Sequence, residues 1–173
     1  MNKKLRQELL GMVERDQEAR RAIAPDGGPG ADPDPEEAMR MCQVDDVNTA
    51  RMREIIEEHG WPGRSLVGED GADAAWLLVQ HADAEREFQK HCLGLMTEAV
   101  GAGEARADLL AYLTDRVLVG EGELQRYGTQ LHRVDGKWAP FALADEEQVD
   151  QRRAAVGLGP LADYVAGANE GQA

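Results

Sequence analysis

The chain has 173 residues, of which 19 are basic and 33 acidic, and its formal net charge is −14. This length predicts one domain, residues 1–173, that buries its own core without disulfides or metals. The acidic charge argues against binding to nucleic acid or to anionic membranes and is compatible with a basic protein partner. Charges run through the N-terminus, no apolar run is long enough to span a membrane, and two cysteines make no disulfide framework. We therefore expect a cytoplasmic protein.

Helical periodicity of apolar residues dominates the chain. A Gly- and Pro-rich segment at 25–35 is predicted to be a mobile loop, and the tail at 167–173 is predicted to fray. The second helix has an acidic pair in its middle and could be two helices. The predicted helices are 2–22, 35–59, 71–82, 85–100, 107–119 and 145–156, with a short closing helix at 160–165.

The apolar period changes after residue 126. Residues 127–134 alternate as a β-strand does, Asp135-Gly136 suits a type I′ turn, and 137–141 returns. In such a strand, Tyr127 and Thr129 face one side while Gly128 and Gln130 face the other. The predicted fold class is therefore mainly α, a compact bundle of about six helices with one C-terminal β-hairpin.

Strong catalytic and metal-binding motifs are absent from the sequence. It has no HExxH, paired CxxC, Walker or GxSxG segment, and its four histidines do not fall at metal-ligand spacings. Asp45, Asp46 and Asn48 form a short polar cluster that we interpret as a solvated helix face rather than a cation site. We predict no metal and no cofactor.

His81 is the first candidate for a functional side chain. It lies near the end of the most apolar predicted helix, where Leu77 and Leu78 precede it and the helix C-terminus favours a protonated imidazole. Two interpretations follow. The ring is either a structural histidine with satisfied hydrogen bonds or a general acid/base.

Asp115 and Arg116 lie in an otherwise apolar predicted helix, where buried charges need partners. One interpretation is a structural ion pair with another helix, or one charge facing solvent. In the other, Asp115 orients His81 and Arg116 anchors a substrate carboxylate or phosphate.

The start of the hairpin adds further polar groups. The amides of Gln125 and Gln130 and the hydroxyl of Tyr127 form a hydrogen-bonding wall in one interpretation and an ordinary edge strand in the other. A glycine inside a strand, as predicted for Gly128, indicates close packing on a helix or access for a ligand.

Several of these residues fall in short segments that occur in a fixed order. The segments are His59-Gly60-Trp61-Pro62, Ser65-Leu66-Val67-Gly68, Ala75 to Asp83, Leu113-Thr114-Asp115-Arg116, and Gln125 to Gln130. Residues 45–165 thereby resemble an uncharacterised bacterial domain-of-unknown-function family with GWP, QHA, LTDR and YGTQ segments. The resemblance implies a shared fold and a shared polar site, and it carries no established activity. Polar residues in these segments lie on several predicted elements, which suggests that their side chains converge on one site. A buried structural hydrogen-bond network would give the same pattern.

Together these observations predict a pocket between the helices at 71–82 and 107–119 and the hairpin. We expect the residues of this pocket to perform metal-independent acid/base chemistry on a small polar metabolite, or to bind one. The alternative is a non-catalytic acidic interaction protein, such as an immunity or accessory protein, in which the same residues form a structural network. The predicted catalytic residues are His81, Asp115 and Tyr127, and the predicted substrate-binding residues are Gln80, Arg116, Gln125 and Gln130.

Overall fold

The computed structural model of the chain describes residues 1–23 and 34–171. This part of the chain contains eight α-helices, one short 3-10 helix and a two-stranded antiparallel sheet. A mainly helical fold with a C-terminal hairpin is thus confirmed, with more helices than the six expected. Most of the predicted 25–35 loop, and the last two residues of the predicted 167–173 tail, lie outside the described residues.

The chain divides into two compact units, Met1–Ala105 and Arg106–Ala173. The single domain over 1–173 stays a prediction. The first unit contains α1 (Lys3–Ile23), α2 (Pro35–His59), α3 (Arg64–Val67), α4 (Glu69–Gln80) and α5 (Arg86–Gly101).

Helix α2 is continuous through its acidic pair, so the alternative of two helices is wrong. Its start is fixed by Asp34, whose Oδ1 accepts a hydrogen bond from the Glu36 N–H at 2.8 Å, and by Pro35 in the first turn. Helix α4 begins at Glu69, two residues before the predicted start, and follows the unpredicted four-residue helix α3.

The core of the first unit lies where α1, α2 and α4 pack on one another. Each helix contributes an apolar face, including Leu9 from α1, Ile55 from α2 and Leu78 from α4. The buried face of α1 consists of Leu5, Leu9, Met12, Asp16 and Ala19, which recur at the helical repeat. A carboxylate therefore occupies a position in the core.

The second unit contains α6 (Ala107–Gly120), β1 (Leu131–Val134), β2 (Lys137–Pro140), a 3-10 helix (Glu146–Gln148), α7 (Val149–Ala155) and α8 (Leu161–Asn169). In the hairpin, Val134 pairs with Lys137. Asp135 and Gly136 both have positive φ angles, 49° and 80°, which confirms the type I′ turn.

The first strand is shorter than predicted, because it begins at Leu131 rather than at residue 127. Residues 125–130 form a loop, with Gly128 in the left-handed region at φ +70°. The predicted alternation of side chains over 127–130 is therefore wrong. The N–H groups of Arg126, Tyr127, Thr129 and Gln130 bond to side chains of the unit, while that of Gln125 bonds to the Ala142 carbonyl.

The last helix is longer than predicted, since α8 continues four residues beyond Val165 to Asn169. The Asn169 side chain makes two hydrogen bonds to the main chain of Trp138 in β2. Its Oδ1 accepts from the Trp138 N–H at 2.8 Å, and its Nδ2 donates to the Trp138 carbonyl at 3.1 Å. The helix end is thereby attached to the outer edge of the hairpin.

Candidate functional site

His81 follows the last residue of α4 and lies beside a buried carboxylate from α1. Its Nδ1 atom is 2.9 and 3.1 Å from the two carboxylate oxygens of Asp16. The Asp16 side chain is 1% exposed and the His81 side chain 16% exposed. The packing of α1 on α4 therefore joins two residues that are 65 positions apart in the sequence.

Arg20 lies one turn after Asp16 on α1 and connects this pair to α2. Its Nε atom is 3.3 Å from Asp16 Oδ1 and 3.0 Å from His81 Nδ1. Its Nη2 donates to Asp45 Oδ1 at 2.7 Å, and its Nη1 lies 3.4 Å from the sulfur of Met41. All three guanidinium nitrogens thus have partners within the first unit.

The contacts at Nδ1 of His81 indicate that this nitrogen carries a proton. A ring nitrogen that donates a proton to Asp16 cannot also accept one from Arg20. If Nδ1 carries the proton, both His81 and Arg20 donate to the Asp16 carboxylate, and all three groups are satisfied. If Nδ1 is unprotonated, its lone pair faces a carboxylate oxygen. The first arrangement is favoured, and Nε2 has no hydrogen-bond partner among the described residues.

The two carboxylates respond differently to their surroundings. Burial acts to raise the pKa of Asp16, but the hydrogen bond and charge of His81, with help from Gln17 and Arg20, outweigh it and lower the pKa. Burial raises the pKa of Asp45, and the nearby Asp16 charge adds to this, while Arg20 opposes it. Asp16 and Asp45 thus share one permanent cation, the Arg20 guanidinium. The negative charge of Asp45 is the less well balanced of the two.

A cavity of about 210 Å³ opens beside this cluster. It has room for several water molecules or a small ligand, since each water occupies about 30 Å³ of liquid. Its lining combines polar or charged side chains with small or sulfur-containing ones. The lining residues are Arg20, Asp45, Asp46, Thr49, His81 and Asp83, with Met41, Cys42, Ala82 and Ala84.

Sequence reasoning missed Asp16 and Arg20, and it placed Asp45 on a solvated face. The structure corrects the interpretation of that polar cluster. The Asp45 side chain is 21% exposed and bonds Arg20, Asn48 is buried, and only Asp46 of the three is exposed. A signal for Asp16 was present, because it continues the apolar stripe of α1.

Asp115, a predicted catalytic residue, lies in the second unit and is completely buried. Its carboxylate accepts hydrogen bonds from the main-chain N–H groups of Arg126 at 2.7 Å, Tyr127 at 3.1 Å and Thr129 at 2.9 Å. It also accepts one from the Thr129 hydroxyl at 3.0 Å. The positive φ of Gly128 shapes the loop whose N–H groups converge on one anion.

The predicted glutamines belong to the same network. The buried Gln125 side chain donates to the carbonyls of Gln130 and Phe141 and accepts from the Gln130 N–H, at 3.1, 2.8 and 3.0 Å. Gln130 Oε1 in turn accepts from Arg116 Nη1 at 3.0 Å. Arg153 donates to the Tyr127 carbonyl at 2.7 Å. These contacts hold the loop to its own unit.

The seven predicted site residues therefore fall into two groups. The second unit joins Asp115, Arg116, Gln125, Tyr127 and Gln130, whereas His81 and Gln80 belong to the first. The partner observed beside His81 is Asp16, and its predicted partnership with Asp115 or Tyr127 stays a prediction. Gln80 is 7% exposed, and its Oε1 has no hydrogen-bond donor among the described residues.

The fold and these clusters define a small, mainly helical protein with a hairpin and two buried carboxylate centres. In the described ranges no helix is both long and apolar enough to cross a bilayer. The model of a family of unknown function, DUF6624, matches residues 3–171, so the chain belongs to that family. The resemblance to a domain-of-unknown-function family is confirmed at this level, while the bacterial origin and the particular segments stay predictions. No curated protein and no solved structure matches the chain.

Proposed function

We propose that the first unit is a binding module that takes a small polar ligand in the cavity beside His81. One observation carries this proposal. The buried Asp16 carboxylate fixes the imidazole at the cavity wall, and Nε2 has no partner among the described residues. A side chain held in one orientation with an available ring nitrogen is preorganised for a ligand.

The charges of the wall indicate which ligands suit it. The nitrogens of Arg20 are engaged by Asp16, Asp45 and Met41, so this guanidinium is a poor anchor for an added anion. The carboxylates of Asp45, Asp46 and Asp83 line the cavity as well. We therefore expect a ligand that donates hydrogen bonds or carries positive charge. Proton transfer by His81 is not required by this proposal.

The second unit supports part of the alternative, a non-catalytic interaction protein. The side chains of Asp115 and Gln125 bond mainly to main-chain groups of their own unit. This is the pattern of a structural polar network. In this proposal the second unit serves stability, and the net charge of −14 favours a basic partner.

A thermal-shift screen of small polar metabolites, run on the whole chain in buffer containing EDTA, tests the binding proposal. A ligand that binds the folded state raises the Tm, and the shift grows with the logarithm of the ligand concentration above the Kd. We expect His81→Gln and Asp45→Asn to remove the shift. His91→Gln and Glu57→Gln, which change exposed residues of α5 and α2, should retain it.

Asp115→Asn separates the two roles, because it should lower the Tm of the free protein and leave the ligand-induced shift unchanged. A screen of broad coverage that produces no shift would contradict the proposal. So would a shift that survives in both His81→Gln and Asp45→Asn.

A further inference from the structure

We infer that Asp16, Asp45 and His81 form a binding site for one divalent first-row transition-metal ion, at the place that the Arg20 guanidinium takes in this structure. The three side chains come from α1, α2 and the end of α4. One ligating atom from each lies within 4.8 Å of the other two. This goes beyond the proposed function, since the ion site requires no metabolite.

The donor set fits such an ion. It offers one imidazole nitrogen and two carboxylate oxygens, and imidazole suits zinc, iron and nickel while carboxylates also suit manganese. Alkaline-earth ions prefer sites made of oxygen alone. The mixed set therefore points to Mn²⁺, Fe²⁺ or Zn²⁺ rather than Ca²⁺ or Mg²⁺.

The spacing of the donors is close to that of a coordination shell. Two ligands bound at about 2.1 Å lie roughly 3.0 Å apart at an octahedral angle and 3.4 Å apart at a tetrahedral one. His81 Nδ1 and Asp16 Oδ1 are 2.9 Å apart. Asp45 offers an oxygen within 4.8 Å of both, and binding the ion requires this carboxylate to move to the same distance.

Arg20 shows that this place already attracts a cation. Its guanidinium contacts all three proposed ligands, with Nε near Asp16 and His81 and Nη2 on Asp45. A divalent ion brings twice the charge of the guanidinium to the same carboxylates. On binding, the ion takes the Nδ1 lone pair and displaces the proton held there, leaving a neutral imidazole whose one proton is on Nε2. The Arg20 side chain, which is 28% exposed, moves outward.

The adjoining cavity supplies what a metal site needs besides its ligands. Asp45 and His81 both line it, so an ion can enter from the cavity and keep water in its remaining coordination positions. The sequence predicted no metal because the three ligands are separated by 29 and 36 residues, and no spacing motif links them.

Isothermal titration of the metal-free whole chain with Mn²⁺ and with Zn²⁺ tests the inference. We expect one ion bound per chain, and a loss of about tenfold or more in affinity in Asp45→Asn and in His81→Gln. Arg20→Gln should raise the affinity, because it removes the competing cation. Glu57→Gln and His91→Gln should leave it unchanged.

Three results would overturn the inference: neither ion binds, binding persists in both ligand variants, or Arg20→Gln abolishes binding while the protein stays folded. If Asp45→Asn does not fold, Mn²⁺ should still broaden the imidazole NMR signals of His81 in the wild-type chain more than those of His91. Equal broadening would contradict the site. The metabolite screen contains EDTA, so its result does not depend on metal ions. If a metabolite raises the Tm there but neither Mn²⁺ nor Zn²⁺ binds in the titrations, the metal site is refuted and the proposed function stands. If an ion binds but no metabolite raises the Tm, the proposed function is refuted and the metal site stands.

Discussion

Asp16 and Asp115 are both buried carboxylates, but they have different kinds of partners. Asp16 contacts side chains, an imidazole and a guanidinium, which can rotate, lose a proton or exchange with a ligand. Asp115 contacts main-chain N–H groups, whose positions are set by the fold. The partners of Asp16 suit an adaptable binding site, and those of Asp115 suit a fixed structural role.

The structural role of Asp115 leads to a stability prediction. Asp115→Asn replaces one acceptor oxygen by an NH₂ group that must face main-chain donors, and we expect a loss of about 2 to 4 kcal/mol in the free energy of unfolding. Thr129→Val removes a single hydroxyl bond to the same carboxylate and should cost about 1 kcal/mol. Urea denaturation followed by circular dichroism measures both. Equal losses in the two variants would contradict the proposed network.

The two cysteines should differ in reactivity. Cys92 is fully buried, and burial raises its pKa to about 12, with Arg53 opposing the shift slightly, whereas Cys42 is exposed. Since the thiolate is the reactive form, a disulfide reagent at about pH 8 should modify one thiol per folded chain and two after denaturation. Cys42→Ser should leave no fast-reacting thiol. Rapid labelling of that variant would show that Cys92 is accessible.

At the residue scale, the sequence indicated His81 but not what lies beside it. Its neighbours Asp16 and Asp45 are 65 and 36 positions away, and only the packing of three helices brings them together. Asp16 was detectable on physical grounds, because Leu5, Leu9 and Met12 define a stripe that it continues. A carboxylate at a core position requires a partner.

At the scale of elements, helices were predicted well and the loop before the hairpin was not. Helices α1, α2, α5 and α6 follow apolar periodicity and agree with prediction to within one residue at each end. The hairpin turn follows from two residues that tolerate positive φ. The 125–130 loop depends on long-range hydrogen bonds to a helix side chain, and a local alternating pattern contains no information about them.

Gly128 should be the most sensitive position of that loop. It has φ +70°, and an added Cβ would lie 2.7 Å from Leu161 Cδ1. We expect Gly128→Ala to cost about 1 to 3 kcal/mol, mainly through left-handed backbone strain. Gly159→Ala is the control, since its φ is not in the left-handed region and nothing lies within 4 Å of the added carbon. If both variants unfold at the same urea concentration, the loop is not under this constraint.

At the scale of the whole molecule, the excess of acidic side chains opposes folding. The chain has 33 acidic and 19 basic residues, so at least 14 carboxylates lack a basic counterpart. Partly exposed pairs such as Arg51 with Glu8 and Glu54 offset part of the repulsion, but surface pairs contribute little individually.

Salt should therefore stabilise the protein. Raising sodium chloride from a few millimolar to about 0.15 M should increase the Tm by about 2 to 5 °C, because screening weakens the repulsion more than it weakens the surface pairs. Calorimetry measures this, and potassium chloride should give the same shift. A decrease in Tm would mean that the surface pairs outweigh the repulsion.

The contact between Asn169 and Trp138 has a consequence for association between chains. A two-stranded sheet exposes unpaired N–H and C=O groups along its outer edges, and another chain can add a strand there. The Asn169 amide occupies one such N–H and the neighbouring C=O of β2, as the main chain of a third strand would. One side chain at the end of α8 thus blocks edge-to-edge aggregation at the centre of β2.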